Sequence, residues 1–176
     1  PERGPGDAGS RWHRVVIREV AQAAQGRPRT FVLRLHHRHR AADRGTLALL
    51  GGGEWTDGVT LDARLAATGG GEVTILPTAT AYENPGARVD RAREVFSKLG
   101  VDVRVLEVYQ RPQALDPDLV RAAGEAGWLY LTGGSPMHLR SVLYETPQWY
   151  AVHGAFQQGA TLVAAGEAAS VLCDAM

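Results

Sequence analysis

The chain has a single cysteine, Cys173, and no apolar stretch of the eighteen or so residues needed to span a bilayer. One thiol excludes an intrachain disulfide, a CxxC redox pair and a cysteine-based metal knuckle, and it fits a reducing compartment. The arginine-bearing start lacks the apolar h-region and cleavage pattern of a secretory signal. These absences point to a soluble, cytoplasmic protein with no membrane partner. Net charge is missing too, since 19 Lys and Arg balance 19 Asp and Glu. The balance hides a division: residues 1–45 hold ten arginines against four acidic residues, and the remainder holds nine basic groups against fifteen acidic. Two segments with different roles are joined here.

What the chain does have is length for one domain with a sizeable core, at 176 residues, and many glycines, 21 of them. That glycine content points to tight turns or to backbone that approaches a ligand closely. The chain opens on Pro1 without an initiator methionine, which reads as a processed product or a fragment.

Residues 1–10, "PERGPGDAGS", have turn and disorder chemistry and almost nothing to bury. A helix is expected from Trp12 to Gln25, stopped by Gly26, then a short strand in "TFVLRL" and a basic linker through "HHRHR" to Gly45. From Thr46 the texture changes. "TLALLGGGE", "EVTILPTAT", "DVRVLEVY", "GWLYLTGGS" and "ATLVAAGE" are continuous apolar runs, the pattern of strands covered on both faces. Helices are expected at Ala87–Leu99, Asp118–Ala126, Met137–Tyr144 and Pro147–Gln157. Alternation at this spacing predicts an α/β domain over 46–176 with a mostly parallel sheet between two helical layers, and 1–45 as a basic, partly disordered extension. The loops "GGGE", "PTATAYENP", "TGGSP" and "AAGEA" all follow strand C-termini, the edge where open α/β folds bind ligands.

Gly51, Gly52 and Gly53 follow a strand, but neither nucleotide-binding glycine pattern is present, so no nucleotide cofactor is expected. They read either as a structural turn or as bare N–H groups for an anion or developing oxyanion. In "LTGGSPMHL", Gly133 and Gly134 leave a strand, Ser135 stands where an N-cap belongs and Pro136 takes the first-turn position. That helix start either binds a carboxylate or oxyanion or is only a well-made cap. Capping employs the Ser135 hydroxyl, which argues against a nucleophile there. His138 is read as a packing or surface group that could face the cleft. His36, His37 and His39 permit weak metal binding but have no carboxylate or cysteine nearby, so no metal site is expected. The arginines with Trp12 and Phe31 lack any recognition motif, so nucleic acid is not expected as a partner.

"ALLGGGEW", "VTILPTATAYENP", "LYLTGGSPMHLRSVLYETPQW" and "GATLVAAGEAASVLCDAM", in this order, resemble the dipeptidase E and cyanophycinase family of serine peptidases, a branch of the class I glutamine-amidotransferase-like fold, over Leu47–Met176. The resemblance implies hydrolysis of amides next to acidic residues by a serine in a G-x-S-A-G turn between strand and helix, a nucleophile elbow. Here that turn is Ala164, Ala165, Gly166, Glu167 and Ala168, so the serine position falls on Gly166. Ser170, one turn on, is expected to be packed or back-bonded. The family's histidine and acidic partner come downstream of the nucleophile, whereas this sequence ends at Met176. The resemblance therefore implies a serine peptidase-like protein with no catalytic residue in place and impaired hydrolysis. What it leaves for substrate or oxyanion binding is Gly52, Gly53, Gly133, Gly134 and Ser135, with Tyr82 beside the pocket. A small acidic peptide or dipeptide-like ligand follows, and the alternative is a noncatalytic binding or interaction module. An incomplete C-terminal side implies an exposed apolar flank that invites a second copy, with Trp149, Tyr150 and Phe156 as its candidates against ordinary core packing.

Overall fold

The computed structural model describes residues 20–21, 30–34, 45–56 and 59–172. The expected disorder of 1–10, the His36–His39 cluster, Trp12 and Cys173 all fall outside them. The strands are β1 (Val20–Ala21), β2 (Thr30–Arg34), β3 (Thr46–Leu50), β4 (Glu72–Leu76), β5 (Asp102–Val105), β6 (Trp128–Leu131) and β7 (Thr161–Ala165). They form one sheet in the order β1-β2-β3-β7-β6-β4-β5. Every pair from β3 to β5 is parallel, while β1–β2 and β2–β3 are antiparallel. The fold is thus an α/β domain with a mostly parallel central sheet.

The apolar strands send alternate residues to opposite faces. Trp128 and Tyr130 join one core with Ala48, Val73, Ile75 and Val163, whereas Leu129 and Leu131 join the other with Leu76, Leu162 and Ala164. Chain order explains the helices. After β3 the path runs outward to β4 and β5, then reverses to place β6 and β7 in the gap. Right-handed crossovers make such a reversal deliver helices to opposite faces. Accordingly α1 (Val59–Gly69) and α2 (Pro85–Lys98) pack on the first core, and α3 (Pro117–Gly124), α4 (Pro136–Leu143), α5 (Pro147–Gln157) and α6 (Ala168–Val171) on the second.

Four helices begin with a polar cap followed by proline. Asn84 accepts from the Ala87 N–H, Asp116 from those of Asp118 and Leu119, Ser135 from that of His138 and Thr146 from that of Trp149. In each case the next residue, Pro85, Pro117, Pro136 or Pro147, starts the helix where its missing N–H costs nothing.

Two departures from the sequence reading stand out. The helix expected over Trp12–Gln25 is wrong at Val20–Ala21, which form β1 and pair with Phe31 and Thr30. Val20 closes a stretch rich in β-branched residues, which favour a strand over a helix, and β2 supplies the neighbouring strand. The second is α1, for which the sequence reading named no element; its Leu61 and Leu65, four apart, face the first core. Of the three flank candidates, Phe156 is buried in the second core and Trp149 packs partly against it, while Tyr150 is exposed.

Candidate functional site

The four glycine-rich or turn-rich loops converge at the C-terminal ends of the strands, where the connection from β3 leaves for one face and those from β6 and β7 for the other. The loop after β3 is held from both sides. Trp55, at φ 61°, buries its indole against Tyr130 (centroids 5.2 Å apart) and Phe96 (6.2 Å). Its carbonyl accepts from Arg91 Nη2 at 2.8 Å and Nε at 3.2 Å. The loop after β6 is tied down where the Ser135 N–H donates to the Ala79 carbonyl at 2.9 Å. Gly134 sits at φ 136°, and a Cβ built there would lie 2.5 Å from the Ala79 oxygen, so only glycine fits.

The turn after β7 carries Gly166, whose N–H donates to the Leu50 carbonyl at 2.8 Å. Its φ of 52° lies in the left-handed region, which glycine adopts at no steric cost, in the turn between strand and helix. A Cβ built on Gly166 would point between Gly133 Cα at 3.6 Å and Gly52 Cα at 3.8 Å, ordinary contact distances. Three loops thus wall a space that a small side chain at position 166 would enter. Ser170 is back-bonded, with Oγ donating to the Glu167 carbonyl at 2.6 Å.

Under this space lies a charge cluster. Glu54 is almost fully buried, and the Gly133 N–H donates to its Oε2 at 3.0 Å and Oε1 at 3.2 Å. Arg88 Nη1 is 3.0 Å from Glu54 Oε1. Burial pushes the Glu54 carboxyl above its usual range; the Gly133 bond and Arg88 pull it back, and the Glu167 charge adds to the rise. Asp62 on α1 is pushed up to about 7 by burial and then by Glu54, and its Oδ1 has no hydrogen-bond partner. Tyr130 is raised well above its ordinary value, by burial first and then by Asp62 and Glu54.

Gly52 and Gly133 wall the space, and Gly53, at φ 66°, shapes the first loop, its carbonyl accepting from Thr56. The Gly133 N–H is turned to Glu54, and the Ser135 hydroxyl accepts from the His138 N–H at 3.2 Å. His138 Nε2 lies 2.9 Å from the Tyr109 carbonyl, and its ring meets that of the exposed Tyr82 at 4.9 Å. Sequence reasoning missed Asp62, Arg88 and Tyr130 and quoted Glu54 only as part of its loop. Asp62 left a trace, an acid between Leu61 and Leu65; Arg88 left none. Among the described residues no three His, Cys, Asp or Glu side chains come together to hold a metal, and no helix is long and apolar enough to cross a membrane.

Residues 47–174 match the family described as Peptidase family S51. Among solved structures, the chain is similar to a peptidase from an acI-B1 Actinobacterium, with 25% identity and a TM-score of 0.65 over 73% of this chain and 57% of that one. It is also similar in fold to a putative peptidase E protein from Listeria monocytogenes EGD-e, with 20% identity and a TM-score of 0.55 over 69% of this chain and 58% of that one. The chain therefore spans less than two thirds of the length of either structure. No curated protein matches it. With the family match covering well over half of its residues, the chain belongs to peptidase family S51.

Proposed function

We propose that this chain is a serine peptidase-like protein impaired in catalysis. One observation carries the reading: Gly166 takes the left-handed turn between β7 and α6, and its missing side chain would project between Gly52 and Gly133. Acyl transfer through a covalent intermediate needs an oxygen or sulfur at the tip of such a turn to attack the carbonyl carbon. Glycine offers only hydrogen there. Ser135 and Ser170 have their hydroxyls engaged in a helix cap and a back-bond.

The test is labelling with a serine-directed fluorophosphonate together with hydrolysis of Asp-Xaa dipeptides. No label and no turnover are expected, and a labelled serine with turnover would overturn the proposal. The second reading, a noncatalytic binding module, is favoured by the convergence of three loops at Gly166, with Gly133 and Gly52 on either side of its Cβ position. Calorimetric titration with the same dipeptides separates the two. Saturable binding without turnover supports the module, and absence of binding leaves an impaired peptidase scaffold.

A further inference from the structure

Five elements each contribute one ionisable group to a single set of charge interactions: Glu54 from the loop after β3, Asp62 from α1, Arg88 from α2, Tyr130 from β6 and the exposed Glu167 from the turn after β7. Three are carboxyl groups and only one is a cation. That cation is already paired, with Arg88 Nη1 at 3.0 Å from Glu54 Oε1. Both Glu54 oxygens lie within hydrogen-bond distance of the Gly133 N–H, and the Glu54 side chain is 3% exposed. The same Gly133 forms one wall of the space over Gly166, its Cα 3.6 Å from the Cβ position there. Glu54 therefore acts on the cleft through Gly133 without lining it.

We infer that Glu54 is a positioning residue for this cleft: its carboxylate turns the Gly133 N–H inward, and its charge sets the cleft against anionic ligands. The inference rests on the reading of this space as a ligand site, and it replaces the acidic ligand expected from the sequence with a neutral one at neutral and alkaline pH. Hydrogen bonds to a carboxylate are roughly twice as strong as neutral ones, so an ionised Glu54 is a firm competitor for the Gly133 amide. Charge inside a water-poor site is also weakly screened. Protonation reverses both effects, since a carboxylic acid accepts more weakly and carries no charge. Asp62 and Glu54 pick up protons at higher pH than exposed carboxylates because both are raised by burial, while Tyr130 stays neutral throughout.

The experiment uses two probes that differ by one charge, Asp-Ala and Asn-Ala, titrated calorimetrically against the full chain at pH 8 and pH 5.5. The affinity for Asp-Ala relative to Asn-Ala is expected to rise about tenfold on acidification. At pH 8, Glu54→Gln is expected to raise the same ratio about three- to tenfold and to flatten its pH dependence, because the glutamine carbonyl keeps an acceptor near Gly133 without the charge. If Glu54 only holds the loop in shape, both dipeptides weaken together and the ratio stays constant, which overturns the inference. A ligand-free readout is the Gly133 amide proton resonance. It should titrate with a midpoint above the ordinary glutamate range, and Glu167→Gln should lower that midpoint by removing a like charge, a check that holds even if Glu54→Gln does not fold. Should neither dipeptide bind at any pH, the ligand-site reading fails. The Gly133 titration still decides whether Glu54 governs the loop: a flat resonance rejects that, and a titrating one upholds it.

Discussion

On the sheet face covered by α3, α4, α5 and α6, the buried side chains are nearly all leucine, valine and alanine, with Phe156 the lone fully packed aromatic. On the face covered by α1 and α2, strands of the same kind contribute Trp128 and Tyr130, which pack with Phe96 and Trp55. Phe96 meets Trp128 edge-on at 5.3 Å and Tyr130 at 6.1 Å. That aromatic face also buries Asp62 and leaves Trp55 Nε1, Trp128 Nε1 and Tyr130 Oη without hydrogen-bond partners. The aliphatic face has its own exception in Gln148, buried with both amide atoms unpartnered. A leucine core can only be packed, but an aromatic core with polar tips can hold ionisable groups next to a ligand cleft. The charge cluster under Gly166 adjoins that aromatic side.

The largest effect that would test this contrast is removal of its central ring. Phe96→Ala should cost about 3–5 kcal/mol, from lost burial, a cavity and three edge-on aromatic contacts. Urea denaturation against Leu139→Ala on the other face is the check, and a loss under 1 kcal/mol for Phe96→Ala would remove the aromatic cluster from the account.

Next come the two cleft glycines. Gly134→Ala would set a methyl 2.5 Å from the backbone oxygen of Ala79 at φ 136°, and it should cost about 3 kcal/mol. Gly166→Ala meets only ordinary contacts and should cost about 1 kcal/mol for its left-handed backbone. Comparable melting temperatures for the two variants would contradict the ordinary contact distances around the Gly166 Cβ position.

The buried acid gives a pH signature of similar or slightly smaller size. In the unfolded chain Asp62 ionises near 3.8 and in the fold near 7. Between those values the folded protein keeps a proton that the unfolded chain has lost. The stability this provides is complete below about pH 4, falls as pH rises towards 7 and is level beyond. From pH 5 to pH 8 the wild type should lose roughly 2–3 kcal/mol, and Asp62→Asn should remove most of that slope. Glu54 is shifted in the same direction and accounts for a residual slope in the variant. Stability that rises with pH across this range would place Asp62 in contact with a cation.

The smallest effect belongs to a cap. Ser135→Ala removes the acceptor of the His138 N–H and should cost about 1 kcal/mol, with no effect on fluorophosphonate labelling. Loss of labelling in this variant, from a wild type that labels, would make Ser135 a nucleophile and sink the cap assignment.

Much of this protein is legible in its sequence because the signals are local. Continuous apolar runs fix the strands, and the cap and proline at Ser135–Pro136 and the helix start at Pro147 are read in place, whereas α2 and α3 begin at Pro85 and Pro117, ahead of the expected Ala87 and Asp118. The back-bonded state of Ser170 and the capping of Ser135 follow from neighbours three residues away. Helix α1 was missed because glycines flank it and Asp62 interrupts its apolar face, a polar residue whose burial only the partner elements permit.

By itself the sequence determined that a two-faced parallel sheet would carry glycine loops along one edge, with Gly166 in the turn after its last strand. Only the tertiary structure decided what lies beneath those loops. Strand order brings Glu54, Asp62, Arg88 and Tyr130 together from positions spread across the chain, and burial then raises both carboxyls of that floor, Glu54 and Asp62. Backbone preferences are set by adjacent residues and can be read along the chain, whereas a charge takes its character from the dielectric and partners that folding assembles around it.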